Sequence, residues 1–141
     1  MNGFLIVTGY RLLTFLARLL PQRFGTSIFR FFGKIAGRFN KDRRKMVERH
    51  LRRTKSSELS DQDMQKSIDE VFASYATYWF QSFRLPGMTS EQILKDFDYE
   101  GEPHLAEALK AEVGPIMALP HLGGWEWSAF WITKIRGIPL T

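Results

Sequence analysis

From Ser60 to Phe83 the chain places Met64, Ile68, Val71, Phe72, Tyr75, Trp79 and Phe83 at spacings of three and four. That is the repeat of one face of an α-helix. It predicts a long helix whose apolar stripe must be covered by other parts of the chain. Ser60 is a good N-cap, and Asp61 and Asp63 fall in the first turn, where the helix dipole favours acids. Leu85-Pro86-Gly87 ends the run. On this reading Tyr75, Tyr78, Trp79 and Phe83 are helix core.

The residues ahead of this helix are basic and apolar. Residues 1–55 hold fourteen Lys/Arg against two acids, a net of +12, and residues 56–141 hold six against thirteen, a net of −7; together they make the formal +5. A basic front end suits an anionic partner, either a membrane surface or a nucleic acid. Met1–Leu20 is rich in Leu, Ile, Val and Phe, but Arg11 and Arg18 interrupt it and Pro21 follows, so it is a poor spanning segment. It lacks the charged n-region and small-residue cleavage site of a secretory signal. Arg11, Thr14 and Arg18 share one helical face, which predicts an amphipathic helix lying in the bilayer interface, with a soluble core helix as the alternative. In residues 22–37, Phe24, Ile28, Phe31, Phe32 and Ile35 alternate with Arg30 and Lys34, while Gly25, Gly33 and Gly37 each weaken a helix. Asn40 can cap a short basic helix running to about Arg53, and Lys55 to Ser60 is a polar linker. No helix-turn-helix, zinc-finger or RNA-binding signature accompanies the basic run, so nucleic acid is not expected as a partner.

After Pro86 the pattern changes. A short helix with capping-box spacing between Thr89 and Gln92 is followed by Phe97–Glu100, which alternates like a strand. Glu102 to Glu112 reads as a helix, and Pro115–Leu119 as a buried parallel strand. Trp125 to about Ile135 reads as a helix, and Ile138–Leu140 as the opening of another strand. The expected fold class is therefore α/β, with membrane-associating helices over 1–57 and the N-terminal part of an α/β domain over 58–141. One or two strands cannot bury both faces of a sheet, so the chain is expected to be the front part of a longer domain.

The segment richest in chemistry is Ala118-Leu119-Pro120-His121-Leu122-Gly123-Gly124-Trp125-Glu126-Trp127. A strand ending at Pro120 would deliver His121 to the edge of a sheet where ligands sit. Glu126, five residues on, can fold back toward the imidazole. A carboxylate on one ring nitrogen fixes the tautomer and leaves the other nitrogen free to take a proton from a hydroxyl. On spacing alone, a lone histidine near a turn is more often a structural hydrogen-bonder than a base. The absence of cysteine removes disulfides, thiol nucleophiles and cysteine-based zinc sites. His50 and His104 have no spacing that groups them with His121, so no metal is expected. Gly123-Gly124 matches neither phosphate-binding glycine pattern.

His121 followed by four residues and Glu126 resembles the His-x4-Asp/Glu motif of the glycerolipid (lysophospholipid) acyltransferase superfamily. The surrounding Ala-Leu-Pro-His-Leu-Gly-Gly-Trp-Glu-Trp is similar to the bacterial branch holding the lipid A (lauroyl/myristoyl) acyltransferases and the phosphatidylinositol mannoside acyltransferases. Asn40 through Leu51 and the Tyr/Trp-rich Phe72–Pro86 resemble the same branch in order and distance.

The resemblance implies transfer of a fatty acyl group from a thioester donor, acyl-CoA or acyl carrier protein, to a hydroxyl of a membrane glycolipid. No cofactor is implied. The acceptor implied is a phosphatidylinositol mannoside, with a lipid A precursor as the alternative. On this reading His121 is the general base and Glu126 its orienting partner. Backbone N–H groups around Gly123, Gly124 and Trp125 would hold the oxyanion, and Arg84 could meet an acceptor phosphate. The expected place is the cytoplasmic face of the plasma (inner) membrane, bound peripherally or monotopically to anionic lipids. A non-catalytic membrane-binding module is the alternative from a different class.

Overall fold

The long helix foreseen from Ser60 onward forms as Asp61–Arg84 in the computed structural model, which describes residues 3–54, 59–95, 97–111, 114–120 and 122–140. Before it come α1 (Gly3–Leu19), α2 (Gln22–Phe39) and α3 (Lys41–Thr54), which makes the long helix α4. After it come a 3₁₀ turn (Leu85–Gly87), α5 (Ser90–Lys95), α6 (Glu102–Lys110), α7 (Glu126–Phe130) and a π-helical turn (Trp131–Ile135). The chain separates into two compact units, residues 1–86 and 87–141.

The caps form where their residue types require them. The Asp63 N–H donates to Ser60 Oγ (3.2 Å) and the Arg43 N–H to Asn40 Oδ1 (3.2 Å). Thr89 and Gln92 close a reciprocal capping box, with N–H to side-chain oxygen distances of 2.9 and 3.2 Å. Each satisfies a helix N–H that has no partner within its own helix.

The first unit is organised by α4, against which α1, α2 and α3 pack. Of the expected stripe only Met64 and Ile68 are buried, joined by Ala73 and Phe80; Phe72, Trp79 and Phe83, like Tyr78 beside them, are half-buried, and Val71 and Tyr75 are exposed, so the aromatic residues expected as helix core lie at its margin. A fully buried Met, Ile or Phe side chain contributes roughly 1.5–3 kcal/mol over its exposed state. The tightest contact is with α2. A Cβ on Gly25 would collide with the Phe80 ring, one on Gly33 would lie 2.6 Å from Ala76 Cβ, and one on Gly37 2.5 Å from Phe72 Cγ. The three glycines expected to weaken α2 are the face that lets α4 approach. Phe29, on the same face, meets Phe80 with ring centroids 4.9 Å apart.

Charge reinforces this packing. Glu70 of α4 takes Arg30 Nη2 and Lys34 Nζ, each at 2.5 Å. Asp69 takes Arg44 Nη1 at 2.6 Å and Arg38 Nη2 at 3.5 Å. The opposed charges of the two sequence regions thus meet as a clasp of two acids and four cations. α1 is tied at its end and middle: Arg84 Nη1 donates to the carbonyls of Ala17 (3.1 Å) and Leu20, and Tyr10 packs edge-on against Phe83 (5.8 Å). The rest of α1 is open, with Phe4, Leu5, Leu12, Phe15 and Leu19 all exposed. Among the described residues no helix is long and apolar enough to cross a membrane.

The expected α/β class is overturned. Among the described residues no strand forms, and the elements are helices and turns throughout. The apolar run Pro115–Leu119 is irregular, with Ile116 fully exposed. A strand is held by the ladder of a neighbour, and neither 97–100 nor 138–140 pairs with it. Pro115 and Pro120 also remove backbone donors at its two ends. Apolar content and β-branching raise strand propensity, but propensity without a partner makes no sheet.

Candidate functional site

The chemistry-bearing segment lies in the second unit, between α6 and α7. Pro120 and Leu122 form a tight turn, the Leu122 N–H reaching the Pro120 carbonyl at 2.7 Å. Gly123 follows at φ +56°, a left-handed conformation that side chains with a Cβ rarely adopt. A Cβ there would meet nothing within 4 Å, so the demand for glycine is conformational rather than steric. Gly124 then turns the chain into α7, its carbonyl accepting the Trp127 N–H at 2.9 Å, while the Trp125 carbonyl accepts the Ser128 N–H at 3.1 Å.

These bonds make Glu126 the first residue of α7, on the first turn as its sequence position implied. An acid there faces the positive end of the helix dipole. Its Oε2 is shielded from solvent, and both Glu126 and Trp125 are engaged by neighbours. His121 lies outside the described residues. Gly123, Gly124, Trp125 and Glu126 form one contiguous turn. Arg84 belongs to the first unit, where its guanidinium is held on the C-terminal carbonyls of α1 and stands 5.3 Å from the Phe80 ring.

What fixes the far end of this segment was not legible beforehand. The α-helix passes into a π-helical turn at Trp131–Ile135, a feature that recurs at functional positions. Trp131 is buried there against Tyr99 (centroids 4.4 Å) and Phe97 (5.6 Å). Arg136 stands over the indole at 5.8 Å and pairs with Glu102 at the start of α6. Lys134 Nζ donates to the Met88 carbonyl at 2.8 Å. The alternation that suggested a strand at 97–100 instead supplies the aromatic floor under Trp131. Aromatic residues two apart were the available signal, and they fit a ring cluster as well as a strand.

The family model for bacterial lipid A biosynthesis acyltransferases matches residues 4–139. The chain belongs to that family. Over 124 residues it is 31% identical to a phosphatidylinositol mannoside acyltransferase of Mycolicibacterium smegmatis, covering 86% of this chain and 39% of the relative. Two phosphatidylinositol mannoside acyltransferases of Mycobacterium tuberculosis are 38% and 36% identical over 66 residues, 45% of this chain and 21% of each relative. The chain thus spans less than half the length of the curated relatives it matches. No solved structure matches it. For a lipid A biosynthesis acyltransferase family member, residues 120–126 are the stretch of sequence that holds a histidine, two glycines and a carboxylate whose Oε2 is shielded from solvent.

Proposed function

We propose that this chain serves transfer of a fatty acyl group from a thioester donor to a hydroxyl of a membrane glycolipid, with a phosphatidylinositol mannoside as acceptor and acyl-CoA as donor. The observation that carries the reading is the half-buried Glu126 at the start of α7, its Oε2 shielded from solvent behind the Gly123 turn, in a chain matched along its length by an acyltransferase family. His121 accepts the proton of the acceptor hydroxyl, and Glu126 holds the imidazole in the right tautomer and balances the imidazolium. The hydroxyl oxygen attacks the thioester carbonyl. Backbone N–H groups of Gly123, Gly124 and Trp125 hold the resulting oxyanion. Collapse breaks the C–S bond, the thiolate takes the proton back from His121, and an ester and a free thiol leave.

The reaction takes place at the cytoplasmic face of the plasma (inner) membrane. The exposed apolar face of α1 supports that placement, with Arg11 and Arg18 alongside it for anionic headgroups. A lipid A precursor is the second acceptor reading, favoured by the description of the matching family. Acyl carrier protein is the second donor.

The test is transfer of label from acyl-CoA and from acyl carrier protein to each acceptor, by the longest product that the gene encodes. Label on the mannoside that disappears with His121→Ala supports the reading. Label only on the lipid A precursor transfers it to the second acceptor. Membrane binding with no transfer to either leaves a non-catalytic module.

A further inference from the structure

Two apolar grooves of the first unit converge on one cation. The larger, of about 490 Å³, lies among α1, α2 and α4, with Tyr10, Phe29, Trp79 and Phe83 among its walls. The smaller, of about 310 Å³, lies between α3 and α4, walled by Met46, Val47 and Val71. Both share Arg43, Phe72 and Tyr75. The first falls within the roughly 300–1,000 Å³ of ordinary small-molecule sites. From Phe72 to Phe83 it follows α4 for about 16 Å, at 1.5 Å per residue.

Arg43 is the cation that lines both grooves. Arg44 is spent on Asp69 and Gln65, and Arg30, Lys34 and Arg38 on the same clasp. Like Lys41, Lys45, Arg49 and Arg53 of α3, Arg43 has no anionic partner among the described residues, but it alone of these walls the grooves, and its backbone N–H is held by Asn40, which fixes the first turn of α3. A charged group at the meeting point of two apolar troughs is matched by a molecule with one anionic centre and two hydrocarbon arms. A single-chain amphiphile would leave the second trough uncovered.

We propose that this forked groove binds one anionic diacyl phospholipid drawn from the bilayer, with its phosphate on Arg43 and one acyl chain in each trough. The inference rests on the membrane-surface reading above and deepens it: a stoichiometric lipid site in the helical unit, additional to any general adhesion of α1. A guanidinium pairs with phosphate in a charge-assisted, bidentate manner, so the head should select phosphatidylglycerol over phosphatidylcholine.

The experiment is native mass spectrometry of the full chain in detergent with phosphatidylglycerol or phosphatidylcholine, beside sedimentation with vesicles of the same lipids. One phosphatidylglycerol per chain is expected, favoured over phosphatidylcholine. Arg43→Gln should weaken it about tenfold and abolish the preference. Ala36→Trp, which fills the larger trough from an exposed position, should remove both lipids. Circular dichroism of both variants shows whether α3 and α4 remain. Equal binding of the two lipids, an unaltered Arg43→Gln profile, or one-for-one displacement by acyl-CoA would each overturn the proposal. Loss of the stoichiometric lipid with intact vesicle sedimentation sinks the groove alone. Loss of sedimentation in the unaltered protein sinks the membrane reading beneath it.

Discussion

Gly33 of α2 lies directly against Ala76 of α4: a methyl group on Gly33 would stand 2.6 Å from Ala76 Cβ and 2.7 Å from the Phe72 carbonyl oxygen. The nearest atoms are a backbone group and a methyl with no rotamer to turn away. Gly33→Ala gains up to about 1 kcal/mol of helix propensity but overpacks a helix interface, which costs typically 1–3 kcal/mol. We expect a net loss of roughly 1–2 kcal/mol in urea unfolding, and a larger one for Gly33→Val. Gly9→Ala on α1 is the control, because a Cβ there meets nothing within 4 Å and should stabilise slightly. Equal effects at the two positions would remove the close-approach account of α2 and α4.

The clasp at Asp69 and Glu70 sets a pH dependence. Burial raises the Asp69 carboxyl, but bonds and charge from Arg44 and Arg38 outweigh it and leave the group below its ordinary value. Hydrogen bonds from Lys34 and then Arg30 lower Glu70. For an acid whose folded pKa is depressed, the stabilisation is full above the unfolded value and is lost as pH falls through the folded one. Thermal unfolding should therefore be flat from neutral pH to about 5 and fall below about 4. Because Glu70 is half-exposed, solvent screens its share. Asp69→Asn should lose roughly 1 kcal/mol at neutral pH and show a shallower acid decline. A variant with the same acid slope as the parent would assign that slope to other carboxylates.

Arg84 acts as the C-terminal cap of α1, since its Nη1 spans the Ala17 and Leu20 carbonyls. Arg84→Met keeps much of the stem that packs near Phe80 and removes the donors. Two part-buried carbonyls then lose a charged partner, at roughly 1–3 kcal/mol. Hydrogen exchange should rise in the last turn of α1 and little in α3. Exchange rising uniformly over the first unit would mean that Arg84 supports α4 itself rather than the end of α1.

How much of this was legible depended on the range of the interaction. Ser60, Asn40 and the Thr89–Gln92 pair act within one helical turn, and their caps formed as the residues implied. The repeat along α4 is likewise local. Gly25, Gly33 and Gly37 share one face with Phe29, but propensity counts a glycine only as a loss and is blind to the helix packed against it. The strand expected at Pro115–Leu119 failed for the complementary reason. Its residues were apolar enough, yet a strand exists only with a neighbour, and a pattern in one segment carries no information about one. The positive φ of Gly123 before Glu126 is a demand within one residue, whereas the ring stack holding Trp131 joins residues more than thirty positions apart.

The exposed side of α1 should hold the protein on anionic vesicles. Phe4 is 79% exposed, Phe15 60% and Leu12 57%, so replacing them by serine removes exposed apolar area without opening the fold. Burial of hydrocarbon is worth about 0.8 kcal/mol per CH₂. The triple variant should lose well over tenfold in vesicle affinity while its melting temperature stays within a degree or two, on the order of ordinary surface substitutions. Arg11 and Arg18 have no ion-pair partner among the described residues, so binding should also weaken with salt. Undiminished sedimentation of the variant would move the contact to another surface.

Glu126→Gln tests the chemistry at its most specific point. The amide keeps the size and one acceptor oxygen of the carboxylate but turns the other acceptor into a donor and removes the charge that steadies an imidazolium. If Glu126 orients a general base, the turnover rate should fall by about 10²-fold or more with little change in KM for the thioester, because the lost interaction grows only as the proton moves. Glu126→Asp keeps the charge and should recover part of the rate. The Oε2 atom is buried, so unfolding must be followed in the same samples. A rate that tracks the folded fraction alone, or one unchanged in a fully folded variant, would make Glu126 the structural start of α7 and leave the proton transfer to another group.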